Sequence, residues 1–209
     1  MSRGASARRI IAVLRADHAA AYRPVVRTLV ECGVHEIELT LTTPDTLRHV
    51  RGLIEEFGQD ASIGVGTVTD EELARRALDA GAQFLVTPGL VAGVPALASR
   101  LGVPTIMGAL TPTEVVAAME AGADAVKIFP ASAVGPGYLR QLRGPFPSLV
   151  AIPSGGVEIE DADGWFAAGA AAVSMGGPLI GDALAGGSLS GLRERAALLV
   201  APAVRGDDR

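Results

Sequence analysis

Two side chains stand where an apolar segment has no ordinary use for them. In Asp124-Ala125-Val126-Lys127-Ile128-Phe129-Pro130, the alternation of an extended strand sends Val126 and Ile128 to one face and Lys127 to the other. In His35-Glu36-Ile37-Glu38-Leu39-Thr40-Leu41-Thr42, the residues Ile37, Leu39 and Leu41 share one face while Glu38, Thr40 and Thr42 share the opposite one. A strand buried on both sides excludes ionisable groups unless they are paired or put to use. Two chemistries fit. One is a structural Lys127–Glu38 ion pair, a weak stabiliser because desolvation offsets much of the attraction. The other is amine catalysis. Burial among Ile128, Phe129 and neighbouring strands favours a free amine, which attacks a ketone to form a Schiff base, and Glu38 then serves as general acid and base.

Other apolar runs end in glycines or hydrogen-bonding groups. Pro153-Ser154-Gly155-Gly156-Val157 and Ser174-Met175-Gly176-Gly177-Pro178 carry paired glycines that no helix stop accounts for. As turns they need only flexibility; taken together they fit a backbone N–H cradle for phosphate. Arg15 ends the first apolar run, where its planar fork suits a carboxylate, a surface arginine being the plain alternative. Thr67, in Gly64-Val65-Gly66-Thr67-Val68, suits the same carboxylate or equally the start of a helix cap. Thr87-Pro88-Gly89 reads mainly as a turn, with Pro88 shaping a pocket floor. His18, His35 and His49 form no ligand spacing, so no metal is expected. Cys32 reads as an apolar residue beside a helix-ending glycine.

These groups lie far apart in sequence, and only a repeated unit brings them together. Gly33, Gly81, Gly122 and Gly169 each follow a helix-like stretch and precede a short apolar run. Thr43-Pro44, Thr69 with Glu72, and Thr111-Pro112 with Glu114 place a capping hydroxyl before a helix, the last two in capping-box spacing. Eight runs read as strands: 9–14, 35–41, 61–65, 83–86, 103–107, 124–129, 149–152 and 171–175. Their starts lie 20 to 26 residues apart, too far for hairpins and right for strand-helix-strand crossovers, which pair in parallel. Eight such units predict a (β/α)8 TIM barrel, a single domain over 1–209 with its core over about 9–200. An open doubly wound sheet also alternates strand and helix, but Leu14-Arg15-Ala16-Asp17 lacks the glycine fingerprint expected after its first strand. In a barrel the strand C-termini form the site, and Lys127, Glu38, Arg15 and both glycine pairs fall at or near them. Pro24 predicts a late start or a kink in the first helix, and the tail after Val200 reads as frayed.

Composition narrows the partners. Against 18 Lys and Arg stand 23 Asp and Glu, a net charge of −5 without a basic stripe, which argues against nucleic acid. Five Phe, two Tyr and one Trp are too few for a base-stacking platform. The run Ile10–Leu14 is halted by Arg15 before signal-peptide length, and no run approaches the ~18 apolar residues that span a bilayer. With a single cysteine among 209 residues, a cytoplasmic protein that engages no membrane is expected.

The segments Ile37-Glu38-Leu39-Thr40, Gly64-Val65-Gly66-Thr67-Val68, Val86-Thr87-Pro88-Gly89 and Val126-Lys127-Ile128-Phe129-Pro130-Ala131 occur in this order. Together they resemble the 2-keto-3-deoxy-6-phosphogluconate aldolase family, small class I aldolases that include 4-hydroxy-2-oxoglutarate aldolase and 2-keto-3-deoxy-6-phosphogalactonate aldolase. The likeness runs from about Arg9 to Val200. It implies a Schiff-base lysine at Lys127, a general acid/base at Glu38, a carboxylate contact at Thr67 and phosphate contacts at Gly155-Gly156. It also implies a homotrimer that needs no cofactor and releases pyruvate from a phosphorylated 2-keto-3-deoxy sugar acid. Three departures matter. Thr42 stands where many members carry a carboxylate-binding arginine, so that role passes to Arg15. Ser154 replaces a threonine and keeps the hydroxyl. The family's phosphate-binding serine falls at Gly177, which offers only its N–H. The expected substrate is the 6-phosphogluconate derivative, with the galactonate epimer and 4-hydroxy-2-oxoglutarate as alternatives. A non-catalytic phosphate-binding barrel is the reading from another class.

Overall fold

The structure, a computed structural model, describes residues 8–200. Eight parallel strands alternate with helices: β1 Ile10–Leu14, β2 Glu36–Thr40, β3 Ser62–Gly66, β4 Leu85–Val86, β5 Thr105–Ala109, β6 Ala125–Ile128, β7 Ala151–Pro153 and β8 Val173–Met175. The helices are α1 Tyr22–Glu31, α2 Thr46–Phe57, α3 Glu71–Asp79, α4 Gly93–Ser99, α5 Pro112–Glu120, α6 Pro136–Leu142, α7 Ala162–Ala167, α8 Gly177–Ile180 and α9 Leu189–Val200. The hydrogen-bonded order β7-β6-β5-β4-β3-β2-β1-β8 runs the sheet round into a barrel. The last seam, between β7 and β8, is thin. It rests on the Ala171 N–H bond to the Ala151 carbonyl (2.9 Å) and on an isolated parallel bridge between Ser154 and Ser174. The fold is thus the (β/α)8 barrel that the repeat predicts.

Strand alternation sorts the core into two layers. Ile37, Leu39, Val126 and Ile128 point outward and are buried beneath the helices. Ile11, Phe84, Val86, Ala125, Ile152 and Ala172 point inward and fill the lower barrel as a separate cluster. The Arg9–Glu36 ion pair lies at that lower end.

Local chemistry agrees with the reading in part. Gly33, Gly81, Gly122 and Gly169 all adopt positive φ (85°, 98°, 85° and 94°) where a helix stops. Thr111 and Glu114 form the capping box at α5. The cap at α3 is Asp70 rather than Thr69: its carboxylate accepts the Leu73 N–H at 2.7 Å, one residue nearer the positive helix end. Thr43 does not cap α2, which begins after Asp45, because its hydroxyl accepts the Ala16 N–H instead. Pro24 makes no kink. It sits in the first turn of α1, where a helical N–H has no partner to lose, after a 3-10 turn at Ala19–Ala21. Several strands begin one or two residues later than the apolar runs, as in Leu85–Val86 for 83–86, where Phe84 is buried ahead of the ladder. Phe129 lies just beyond β6, which ends at Ile128. The tail after Val200 lies outside the described residues.

Candidate active site

In an eight-strand barrel, β2 and β6 lie four strands apart in either direction, so their inward side chains meet across the lumen. Glu38 and Lys127 are those side chains. Lys127 Nζ stands 3.9 Å from Glu38 Oε1, and the two residues are 8% and 2% exposed. That separation exceeds a hydrogen bond, and neither group makes a side-chain hydrogen bond among the described residues. A structural ion pair at this depth would be expected to close to contact, because only good geometry offsets the desolvation of both charges. An unclosed pair leaves room for a reacting atom. Burial pushes the Glu38 carboxyl above the usual carboxylate range, opposed by the positive charges of Lys127 and then Arg15. Lys127 Nζ also lies 5.2 Å from the centre of the Phe129 ring, which caps it from the solvent side and is itself partly exposed.

The space around the pair comes from missing side chains. Gly66 lies beside Thr40 in the ladder, and a Cβ on it would fall 1.8 Å from Glu38 Oε1. Gly108 pairs with Lys127, and a Cβ there would lie 2.3 Å from the Pro88 backbone. The Thr87-Pro88-Gly89 turn is fixed by Thr87 Oγ1, which donates to the Gly89 carbonyl (2.6 Å) and accepts the Gly108 N–H (3.2 Å). Pro88 thereby becomes a wall of the cavity.

That cavity, about 440 Å³, opens at the C-terminal ends of the strands. Arg15 and Thr67 line it from β1 and β3, and Thr67 adopts φ 62°, a left-handed backbone that a β-branched residue rarely takes. Such strain concentrates at working sites. Arg15 forms no ion pair among the described residues. On the far side, Ser154 donates to Ser174 Oγ at 3.2 Å, and Gly155 and Gly156 follow with φ of 84° and 67°. Side chains are excluded there twice over, since a Cβ on Gly155 would meet the Phe129 ring at 2.7 Å and one on Gly156 would meet Ser132 at 2.7 Å. Gly176 precedes α8 and Gly177 begins it, with Pro178 next.

All eleven residues singled out from sequence therefore border one cavity. Sequence reasoning missed Val13, Val157, Ile180, Gly181 and Leu184 of the same lining. Val13 shares the inward parity of Ile11 and was within reach of the alternation rule; Ile180 ends the four-residue α8 and Leu184 sits in the 3-10 turn Ala183–Ala185, both too short to leave a periodic signal. Ser174 is inward by the parity of Ala172 and meets Ser154 only because the barrel closes.

Comparison with known proteins follows the same lines. Residues 3–187 match the family described as "Aldolase: KDPG and KHG aldolase". The chain is 35% identical over 174 residues to 2-dehydro-3-deoxy-6-phosphogalactonate aldolase of Escherichia coli K12, covering 81% of this chain and 83% of the relative. It is 33% identical over 153 residues to 2-dehydro-3-deoxy-phosphogluconate aldolase of Dickeya dadantii, covering 73% and 70%. Among solved structures, KDPG aldolase from Legionella pneumophila, with pyruvate captured at low pH as a covalent carbinolamine intermediate, superposes with a TM-score of 0.85 at 26% identity, over 94% of this chain and 96% of that one. Fold and relatives together define a barrel lyase of the aldolase type. The chain belongs to the KDPG and KHG aldolase family. No helix among the described residues is long and apolar enough to cross a membrane.

Proposed function

We propose that this chain is a class I aldolase that cleaves 2-dehydro-3-deoxy-6-phosphogluconate to pyruvate and D-glyceraldehyde 3-phosphate. The observation that carries it is the unclosed pair of Lys127 and Glu38, one amine and one carboxyl 3.9 Å apart on the barrel axis. Lys127 Nζ adds to the C2 ketone and the carbinolamine loses water, leaving a protonated imine as electron sink. Glu38 takes the proton of the C4 hydroxyl, directly or through a water. The C3–C4 electron pair then flows into the imine, giving an enamine and the free aldehyde. The protonated Glu38 returns its proton to C3, and water hydrolyses the imine to pyruvate and the amine. A carboxyl pushed upward by burial is suited to both halves of that cycle. Arg15 and Thr67 hold the carboxylate, while Gly155, Gly156, Gly176 and Gly177 offer backbone N–H groups to the phosphate. The family resemblance supports a homotrimer.

A second reading keeps the chemistry and inverts C4: the 6-phosphogalactonate epimer. It is favoured by Arg15 on the cavity rim with Thr42 in place of an arginine, and by the relative from Escherichia coli K12. Reduction with borohydride in the presence of pyruvate tests the shared mechanism. A mass gain mapped to Lys127 is expected; an unmodified protein, or an adduct on another lysine, would overturn it. Initial rates on the two epimers side by side decide between the substrates.

A further inference from the structure

Arg15 is exposed at the rim of the cavity, and nothing contacts its guanidinium by ion pairing among the described residues, yet the backbone on both sides of it is fixed. The Leu14 carbonyl, before it, accepts from Thr40 Oγ1 at 3.1 Å. The Ala16 N–H, after it, donates to Thr43 Oγ1 at 2.9 Å. Both threonines belong to the end of β2 and the turn beyond it, and both are buried, at 0% and 1% exposure. They are held in turn. Thr46 Oγ1 lies 2.9 Å from both the Thr40 and Thr43 carbonyls, and Tyr22 OH, fully buried, lies 2.9 Å from Thr46 Oγ1. Thr42 Oγ1 closes the set by donating to Thr40 Oγ1 at 3.0 Å.

A buried hydroxyl network of this kind costs side-chain ordering and desolvation, and it returns a defined geometry only when all its members are satisfied. The same strand end also carries Glu38, two residues before Thr40 on the same face. The position of Arg15 is thus referred to the strand that holds the carboxyl, not to its own helix α1. Thr43 neither caps α2 nor lines the cavity; besides the Ala16 N–H, its hydroxyl meets the buried Tyr22 hydroxyl, which ties it into the same network.

We propose that Thr40 and Thr43 are positioning residues for substrate binding: their hydroxyls clamp the two peptide groups that flank Arg15 and so fix its guanidinium where the substrate carboxylate arrives. This rests on the reading that Arg15 holds that carboxylate. The clamp adjusts binding and leaves imine chemistry at Lys127 untouched.

The test uses the full chain and pyruvate as the probe, measuring the pyruvate concentration that gives half-maximal borohydride trapping and the trapping rate at saturation. Thr43→Val keeps the volume and removes the acceptor. It is expected to raise the half-saturating concentration about three- to tenfold, as the loss of one buried hydrogen bond can, with the saturated rate within about twofold of wild type. Thr43→Ser should restore the wild-type value. In an Arg15→Ala background, Thr43→Val should add nothing further. A Thr43→Val variant that lowers the melting temperature without moving half-saturation overturns the proposal, as does a full additional effect in the Arg15→Ala background. Arg15→Ala leaving half-saturation unchanged would instead remove the carboxylate role on which the proposal rests. If Thr43→Val does not fold, Thr43→Cys, near in volume and a weak acceptor, carries the same comparison with the same deciding outcomes.

Discussion

Glu38 packs against Gly66 so closely that a single methyl group on the glycine would lie 1.8 Å from Oε1 of the carboxyl. The obstruction is to the side chain alone, because Gly66 sits in regular β3 and its Cβ would strike Glu38 and not backbone. Gly66→Ala is expected to displace the carboxyl while sparing Lys127 on the opposite strand. Turnover should fall by about 10²- to 10⁴-fold, the usual worth of a general acid/base. Pyruvate trapping at Lys127 should persist. Wild-type cleavage in this variant would show that Glu38 tolerates relocation.

Burial raises the Glu38 carboxyl above its usual 4.5, so the folded protein holds this proton to higher pH than the unfolded chain does. The folded state therefore binds more protons between 4.5 and the raised value, and its stability falls as pH rises through that window. Removing the titrating group removes this loss. The melting temperature of Glu38→Gln, relative to wild type, should increase from acid toward neutral pH, while cleavage is largely lost. A constant difference across that range would mean that the carboxyl is not perturbed.

Gly177 begins α8 with open space around it: a Cβ placed there meets nothing within 4 Å. Gly177→Ser can therefore add a hydroxyl beside Gly155 and Gly156 without a clash. KM for the phosphorylated sugar acid should fall by roughly 3- to 10-fold, in keeping with the net worth of one added hydrogen bond. KM for unphosphorylated 4-hydroxy-2-oxoglutarate should stay put. Equal changes for both substrates would place the phosphate elsewhere.

The capping box at α5 gives a stability benchmark remote from the chemistry. Thr111 Oγ1 accepts the Glu114 N–H, and the Glu114 carboxyl accepts the N–H groups of Leu110 and Thr111 at 2.9 and 2.7 Å. Thr111→Ala should cost about 1 kcal/mol in urea unfolding, the typical loss of an N-cap, with kcat unchanged.

Much of this protein could be read from its sequence because each unit carries its own punctuation. The glycines at 33, 81, 122 and 169 mark helix ends, and two-residue alternation alone sends Lys127 and Glu38 inward. Caps were harder to read, since a hydroxyl and a carboxylate compete over one residue, as at Thr69 and Asp70. What local pattern could not contain is side-chain contact between neighbouring strand ends. Thr43 has the sequence context of a cap, and only closure of β1 against β2 shows that it serves the backbone beside Arg15. The Ser154–Ser174 meeting likewise exists only once β8 comes round beside the end of β7.

That meeting has a mechanical meaning. Seven of the eight strand joints are continuous ladders, and the eighth is a short fastening at the rim, with one glycine pair on each of its two lips. In the proposed phosphate cradle, an anion gripped from both lips would act as a clasp across the weakest joint of the cylinder. Occupancy and hoop strength then belong to a single equilibrium, in which a bound substrate tightens the vessel that holds it.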